Sequence, residues 1–204
     1  MNYPNSRLRR LRYNSNIRSL LEDVHLKTSD LIYPVFVCEG ENIKQEIKSL
    51  PGQFRYSIDN LLSLIEELIS LNINSILLFG VSDKKDESGD IACDNKSIIP
   101  KAIKKIKEKY KNDILVIADL CNCSYTSHGH CGTIVDGDVD NDLTIKTLCK
   151  QAFTLAESGV DVIAPSDMMD GRTGIIRKEL DNKKFHKIPI FPYSVKYASS
   201  FYGP

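Results

Sequence analysis

Between Asp119 and Gly132 the chain reads DLCNCSYTSHGHCG, fourteen residues that hold three cysteines, two histidines and an aspartate. Thiolates are soft donors, and three of them at a CxCx7C spacing suit zinc. A structural zinc site normally closes with four protein ligands, whereas three leave a coordination position for water or substrate. Cys121, Cys123 and Cys131 supply three. His130 is a candidate fourth ligand that would close the site, and His128 reads as a hydrogen-bonding loop residue. The bland alternative, a loop of unliganded cysteines, is disfavoured because three thiols this close oxidise readily unless they are metallated or buried.

A second reactive group follows the apolar run IPIFPYS. Lys196 comes directly after it, with Tyr193, Tyr197, Phe201 and Tyr202 nearby in sequence. Desolvation lowers a lysine pKa, and a neutral amine can attack a ketone to form a Schiff base. Against this stands the ordinary fate of a lysine, a solvated surface charge. Between the two features lies APSDMMDGR, Ala164 to Arg172, where Ser166, Asp167 and Asp170 could contact a substrate, cap the following helix, or both.

The elements that must position these groups are legible from hydrophobic periodicity. Runs at 31–37, 75–81, 114–120, 160–165 and 188–194 read as five strands. Helical spacing occupies 58–71, the lysine-rich stretch from Ile98 to Tyr110, and 141–158, with Gly159 placed as a C-terminal cap. Strands alternating with helices predict an α/β fold with a parallel sheet. Periodicity alone leaves an open sheet and a closed barrel both standing, although no glycine-rich fingerprint follows the first strand. If the third strand runs on through Cys123, alternation puts Asp119, Cys121 and Cys123 on one face at its C-terminal end, where βα barrels gather their catalytic groups. A barrel needs eight strands and about 250 residues. This chain has 204, and its last residues follow the fifth strand, so a barrel would be incomplete.

Lys plus Arg and Asp plus Glu both number 27, which gives no general attraction to nucleic acid or to an anionic membrane. No window approaches the roughly 18 apolar residues of a membrane span, and a cytoplasmic setting is expected. Six cysteines without a secretory signal do not suggest a disulfide framework, and Cys38, Cys93 and Cys149 read as small buried hydrophobes or incidental thiols. The first 21 residues carry five arginines and no acid, which reads as a basic arm that packs on another subunit or is solvated, in preference to a transit peptide.

Taken together, RLRRLR, YPVFV, DLCNCSYTSHGHCG, DNDLT, IAPSDMMDGR and YSVKYASSFYGP, in that order, resemble the delta-aminolevulinic acid dehydratases, also called porphobilinogen synthases. The resemblance implies a (β/α)8 TIM barrel, here about its first five strands over residues 31–204, behind an N-terminal arm and first helix over 1–30. It implies a hydro-lyase that condenses two 5-aminolevulinate molecules into porphobilinogen for tetrapyrrole synthesis. On it, Lys196 is one of two Schiff-base lysines, Cys121, Cys123 and Cys131 hold a catalytic zinc, and Asp119, Ser166 and Tyr202 line the substrate pocket. The arm is implied to build a homo-octamer. The family's second lysine, its lid arginines and an allosteric magnesium ligand fall beyond the end of this chain, which is therefore expected to be truncated. The alternative is a non-catalytic zinc-binding or assembly subunit. Another Schiff-base aldolase is disfavoured, since such barrels need no CxCx7C loop.

Overall fold

A computed structural model of the chain describes residues 2–197. In chain order its helices and strands are α1 (Ser15–Leu20), β1 (Tyr33–Cys38), β2 (Lys44–Glu46), β3 (Phe54–Tyr56), α2 (Ile58–Ser70), β4 (Ser75–Val81), α3 (Ile98–Tyr110), β5 (Leu115–Leu120), β6 (Ile134–Val135), β7 (Asp138–Val139), α4 (Asn141–Glu157), β8 (Val162–Pro165) and α5 (Arg172–Asn182). The strands β1, β4, β5 and β8 lie side by side in that order, all parallel. A doubly wound sheet reverses its strand order at a switch point, whereas a barrel adds each new strand beside the last. The helix-linked strands β1, β4, β5 and β8 each dock beside the one before, and β3, on the far side of β1, follows β1 with no intervening helix and so marks no switch point: the chain forms part of a (β/α)8 barrel.

The fifth expected strand, 188–194, takes its place beside β8 but is reduced to one bridge, Ile163 with Ile190. Its backbone is tied by Ile163 N to Pro189 O (3.1 Å), Phe191 N to Ile163 O (2.8 Å) and Tyr193 N to Pro165 O (3.0 Å). Pro189 and Pro192 have no N–H to donate, which keeps this edge from a full ladder. On the other side of β1, β3 pairs parallel with β1, and β2 pairs antiparallel with β3 at the edge. These two short strands carry no strong alternation, and the sequence did not announce them.

Each face of the sheet has its own apolar cluster. Val35, Val37, Ile76, Leu78, Val116, Ala118, Leu120 and Ile163 point toward the helices, while Ile117, Val162 and Ala164 pack on the inner face with Leu77 and Tyr193. On α3, Ile98, Ile99, Ala102, Ile103, Ile106 and Tyr110 are buried as the periodicity predicts. Ile103 and Ile106 are fully buried, worth about 1.5–3 kcal/mol each. The exposed Lys105–Glu108 pair at 3.0 Å adds at most about 1 kcal/mol, so burial decides where α3 sits. Helix α4 ends as expected: Gly159 is left-handed (φ 91°), with Gly159 N bonded to Ala156 O and Val160 N to Leu155 O.

The N-terminal arm buries nothing in α1 or in the 3-10 turns beside it. Leu8, Leu11, Tyr13, Leu20, Leu21, Val24 and Leu26 are all exposed. Among the described residues, no helix is long and apolar enough to cross a membrane.

Candidate metal centre and active site

Strand β5 delivers Asp119 to the inner face and stops at Leu120. The expectation that it runs on through Cys123 fails, because the Asn122 carbonyl accepts Tyr125 N (2.8 Å) and Thr126 N (3.0 Å) and turns the chain. The two thiols still meet. Cys121 Sγ and Cys123 Sγ are 3.4 Å apart, and Cys131 joins them so that all three sulfurs lie within 4.8 Å of one another.

Two neighbouring segments hold this loop. On one side Asp86 N donates to Tyr125 O (3.0 Å) and Ser127 N to Asp86 O (2.8 Å). The Asp86 carboxylate meanwhile gathers the amides of Ser88, Gly89, Asp90 and Ile91. His128 Nε2 lies 3.1 Å from Glu87 O, the loop-bonding role expected of it. On the other side Thr133 N donates to Thr144 Oγ1 (3.0 Å) at the start of α4. Gly132 must be bare there, since a β-carbon would overlap Thr144 Oγ1 and approach Val139 Cγ1 to 2.7 Å. Gly80 is bare for a similar reason: the Tyr125 hydroxyl occupies the place of its side chain. The β6–β7 hairpin turns at Asp136 and Gly137, both at positive φ, a signal that Val-Asp-Gly-Asp carries in the sequence.

Lys196 reaches the same end of the barrel. Its Nζ donates to Ser166 O at 2.7 Å and stands 3.9 Å from Cys131 Sγ. It is not the amine that desolvation alone predicts. Burial pulls its pKa down, but the negative charge offered by Cys131, Cys121, Cys123 and Asp119 outweighs burial and leaves it raised. Among the described residues Tyr197 does not enclose it, being 86% exposed, and Phe201 lies outside the described residues. Hydrogen bonds from Cys121 and Cys123 hold the Cys131 thiol well below its ordinary range. Hydrogen bonds with Cys123 and with Cys131, together with burial, push Cys121 up. Burial pushes Asp119 up to about 7, against the pull of the Ser166 side chain and with the help of charge on Cys123. Its Oδ1 is a buried oxygen without a hydrogen-bond partner.

His130 is not in the sulfur cluster. It lines a cavity of about 330 Å³ with Cys131, Asp167, Met168, Lys196 and Tyr197. Tyr202 lies outside the described residues. Neither Ser166 nor the aspartates cap α5, whose N-cap is Gly171 without a side-chain bond. Instead Asp167 Oδ1 takes Met169 N (2.9 Å) and Asp170 N bonds to Asn141 Oδ1 (2.8 Å). A larger cavity of about 580 Å³ near Asn72, Lys107 and Asp161 includes none of the cysteines.

A family model described as delta-aminolevulinic acid dehydratase matches residues 5–204. The chain belongs to the delta-aminolevulinic acid dehydratase family. It is 49% identical over 204 residues to the delta-aminolevulinic acid dehydratase of Methanothermus sociabilis, covering all of this chain and 63% of that protein. With the Helicobacter pylori dehydratase it shares 48% identity over 199 residues, 97% of this chain and 61% of the relative. The chain thus spans about three fifths of the length of these dehydratases. Among solved structures, the Toxoplasma gondii dehydratase bound to its reaction product porphobilinogen superposes with a TM-score of 0.92 at 41% identity, over 97% of this chain and 57% of that one.

Proposed function

We propose that this chain carries part of a porphobilinogen synthase, which condenses two 5-aminolevulinate molecules into porphobilinogen with loss of two waters. The observation that carries the reading is the convergence of a lysine amine and three thiols at one barrel mouth, with Lys196 Nζ 3.9 Å from Cys131 Sγ. In this reading Lys196 passes its ammonium proton to solvent, the free amine attacks the ketone carbon of one substrate, and the carbonyl oxygen leaves as water as the Schiff base forms. That step fixes the substrate covalently and makes it an electron sink. Ser166 O, which holds the amine at 2.7 Å, aims it, and Asp119 and Ser166 are assigned to contact the substrate.

The sulfur cluster fits zinc: Zn–S bonds of about 2.3 Å in a tetrahedron place sulfurs about 3.8 Å apart, close to the spacing of Cys121 and Cys123. Cys121, Cys123 and Cys131 would hold the ion, and the position they leave open would supply Lewis-acid activation of the second substrate's carbonyl or of a water. The exposed leucines of the arm support assembly into a homo-oligomer, read as an octamer. Six free cysteines suit a reducing, cytoplasmic setting.

The test is borohydride reduction of the zinc-loaded chain with 5-aminolevulinate, followed by peptide mass spectrometry. A substrate-dependent adduct on Lys196 is expected. Folded, zinc-loaded protein that gives no adduct there overturns the Schiff-base assignment.

A further inference from the structure

The geometry points to Arg172 as the positioning residue that sets the Lys196 amine, an inference that rests on the Schiff-base reading above. Arg172 opens α5, and its side chain is only 14% exposed. Its guanidinium joins two pieces of chain through three contacts. Nη1 donates to Met169 O (3.1 Å), Nη2 donates to Tyr193 O (3.0 Å), and Nε faces the fully buried side chain of Asp167, 3.5 Å from Oδ2.

Tyr193 is where the edge strand ends. Its N–H bonds to Pro165 O and its carbonyl to Arg172, and Lys196 follows three residues later. Ser194, Val195 and Lys196 are exposed, and among described residues the polar bond that anchors the amine is to Ser166 O. The same short loop, Ser166 to Arg172, therefore supplies both the carbonyl that takes the amine and the guanidinium that holds the backbone leading to it. Met168 in the middle of that loop is left-handed (φ 70°), a conformation uncommon for a side chain of its size and found where surrounding contacts enforce it. Asp167 holds both sides of this turn, through Met169 N and toward Arg172 Nε. A lysine could keep the charge at position 172 but not the planar fork that reaches two carbonyls at once.

Arg177 provides an internal control. It lies on the same helix and grips the same returning segment through Ile188 O (2.6 Å) and Phe185 O (2.8 Å), but far upstream of Lys196. A general loss of stability should follow from either arginine, whereas misplacement of the amine should follow from Arg172 alone.

The test uses the zinc-loaded full chain and the variants Arg172→Ala, Arg172→Lys and Arg177→Ala. The trapping rate on Lys196 at saturating 5-aminolevulinate should fall about 10- to 100-fold in both Arg172 variants, as for a reacting group displaced by about 1 Å. The half-saturating concentration should move far less. Methylguanidinium should restore part of the rate to Arg172→Ala, and Arg177→Ala should trap as the parent does. Amide exchange over 193–197 should quicken in the Arg172 variants while exchange in 121–131 is unchanged. Equal losses in Arg172→Ala and Arg177→Ala, or unchanged trapping and exchange in folded Arg172→Lys and Arg172→Ala, overturn the inference. If the parent gives no adduct, the Schiff-base reading fails by itself, and exchange over 193–197 decides whether Arg172 holds the segment.

Discussion

The Lys196 amine stands 3.9 Å from the Cys131 sulfur, across 65 positions of sequence. That single approach joins two sites that are separate features of the sequence. Negative charge on the sulfurs and on Asp119 raises the amine's pKa against the pull of its burial, so the state of the thiols and the state of the lysine are one problem at this barrel mouth.

Replacing either Cys123 or Cys131 with alanine should remove a ligand from the sulfur cluster. Loss of a supporting contact around a zinc site typically costs 10- to 100-fold in affinity, and loss of a ligand should cost at least about 100-fold. Elemental analysis after dialysis against a graded chelator would report it, with circular dichroism to confirm the fold. Wild-type zinc retention in Cys131→Ala would exclude that sulfur as a ligand.

Gly132→Ala places a methyl group on Thr144 Oγ1 and within 2.8 Å of Thr144 Cγ2. Overpacking of this kind costs about 1–3 kcal/mol, and here the strain falls on the residue after Cys131, so zinc retention should weaken along with the melting temperature. Gly174→Ala is the contrast. It lies inside α5 with open space around it and should stabilise by about 0.4–1 kcal/mol. Thermal unfolding of the two variants should move in opposite directions.

Asp59, in the first turn of α2, is held below the usual carboxylate range chiefly by its hydrogen bond with Ser57, with Asn42 N adding to it. A carboxyl whose folded pKa is depressed contributes stability that is complete above its unfolded pKa of about 3.9 and lost as pH falls through the folded value. Asp59→Asn should therefore lower the melting temperature at neutral pH and leave it almost unchanged near pH 2. A difference that stays constant down to pH 2 would show that the carboxylate's charge contributes nothing.

Cys93 and Cys149 are both pushed up to about 11 by burial. Two units above an ordinary thiol mean about 100-fold less thiolate near neutral pH. Iodoacetamide should label both about 100-fold more slowly than a free cysteine, read by peptide mass spectrometry on the zinc-loaded chain. Labelling at the free-thiol rate would refute the burial argument.

The parallel strands, the three long helices and the meeting of Cys121, Cys123 and Cys131 were legible because apolar spacing and ligand spacing are local properties. Strand order was not, since it depends on which edge each βα unit docks against. β2 and β3 escaped notice because three-residue strands carry too little alternation to be distinguished from a loop. The turn at Asn122 also escaped, because it depends on one carbonyl accepting two amides. Most instructive is Lys196, whose expected neutral state followed from its apolar neighbours in sequence. The neighbours that govern its charge are sulfurs from a distant loop, and sequence distance conceals them.

The leash on the sulfur loop bears on protein engineering. Asp86 grips it from one side and Thr144 from the other, so the fourteen residues Asp119 to Gly132 are not a portable module. Transplanted alone into a foreign barrel they would bring the donors without their scaffolding. A workable graft must carry 82–94 and 133–144 as well, segments from two consecutive βα units moved as one piece.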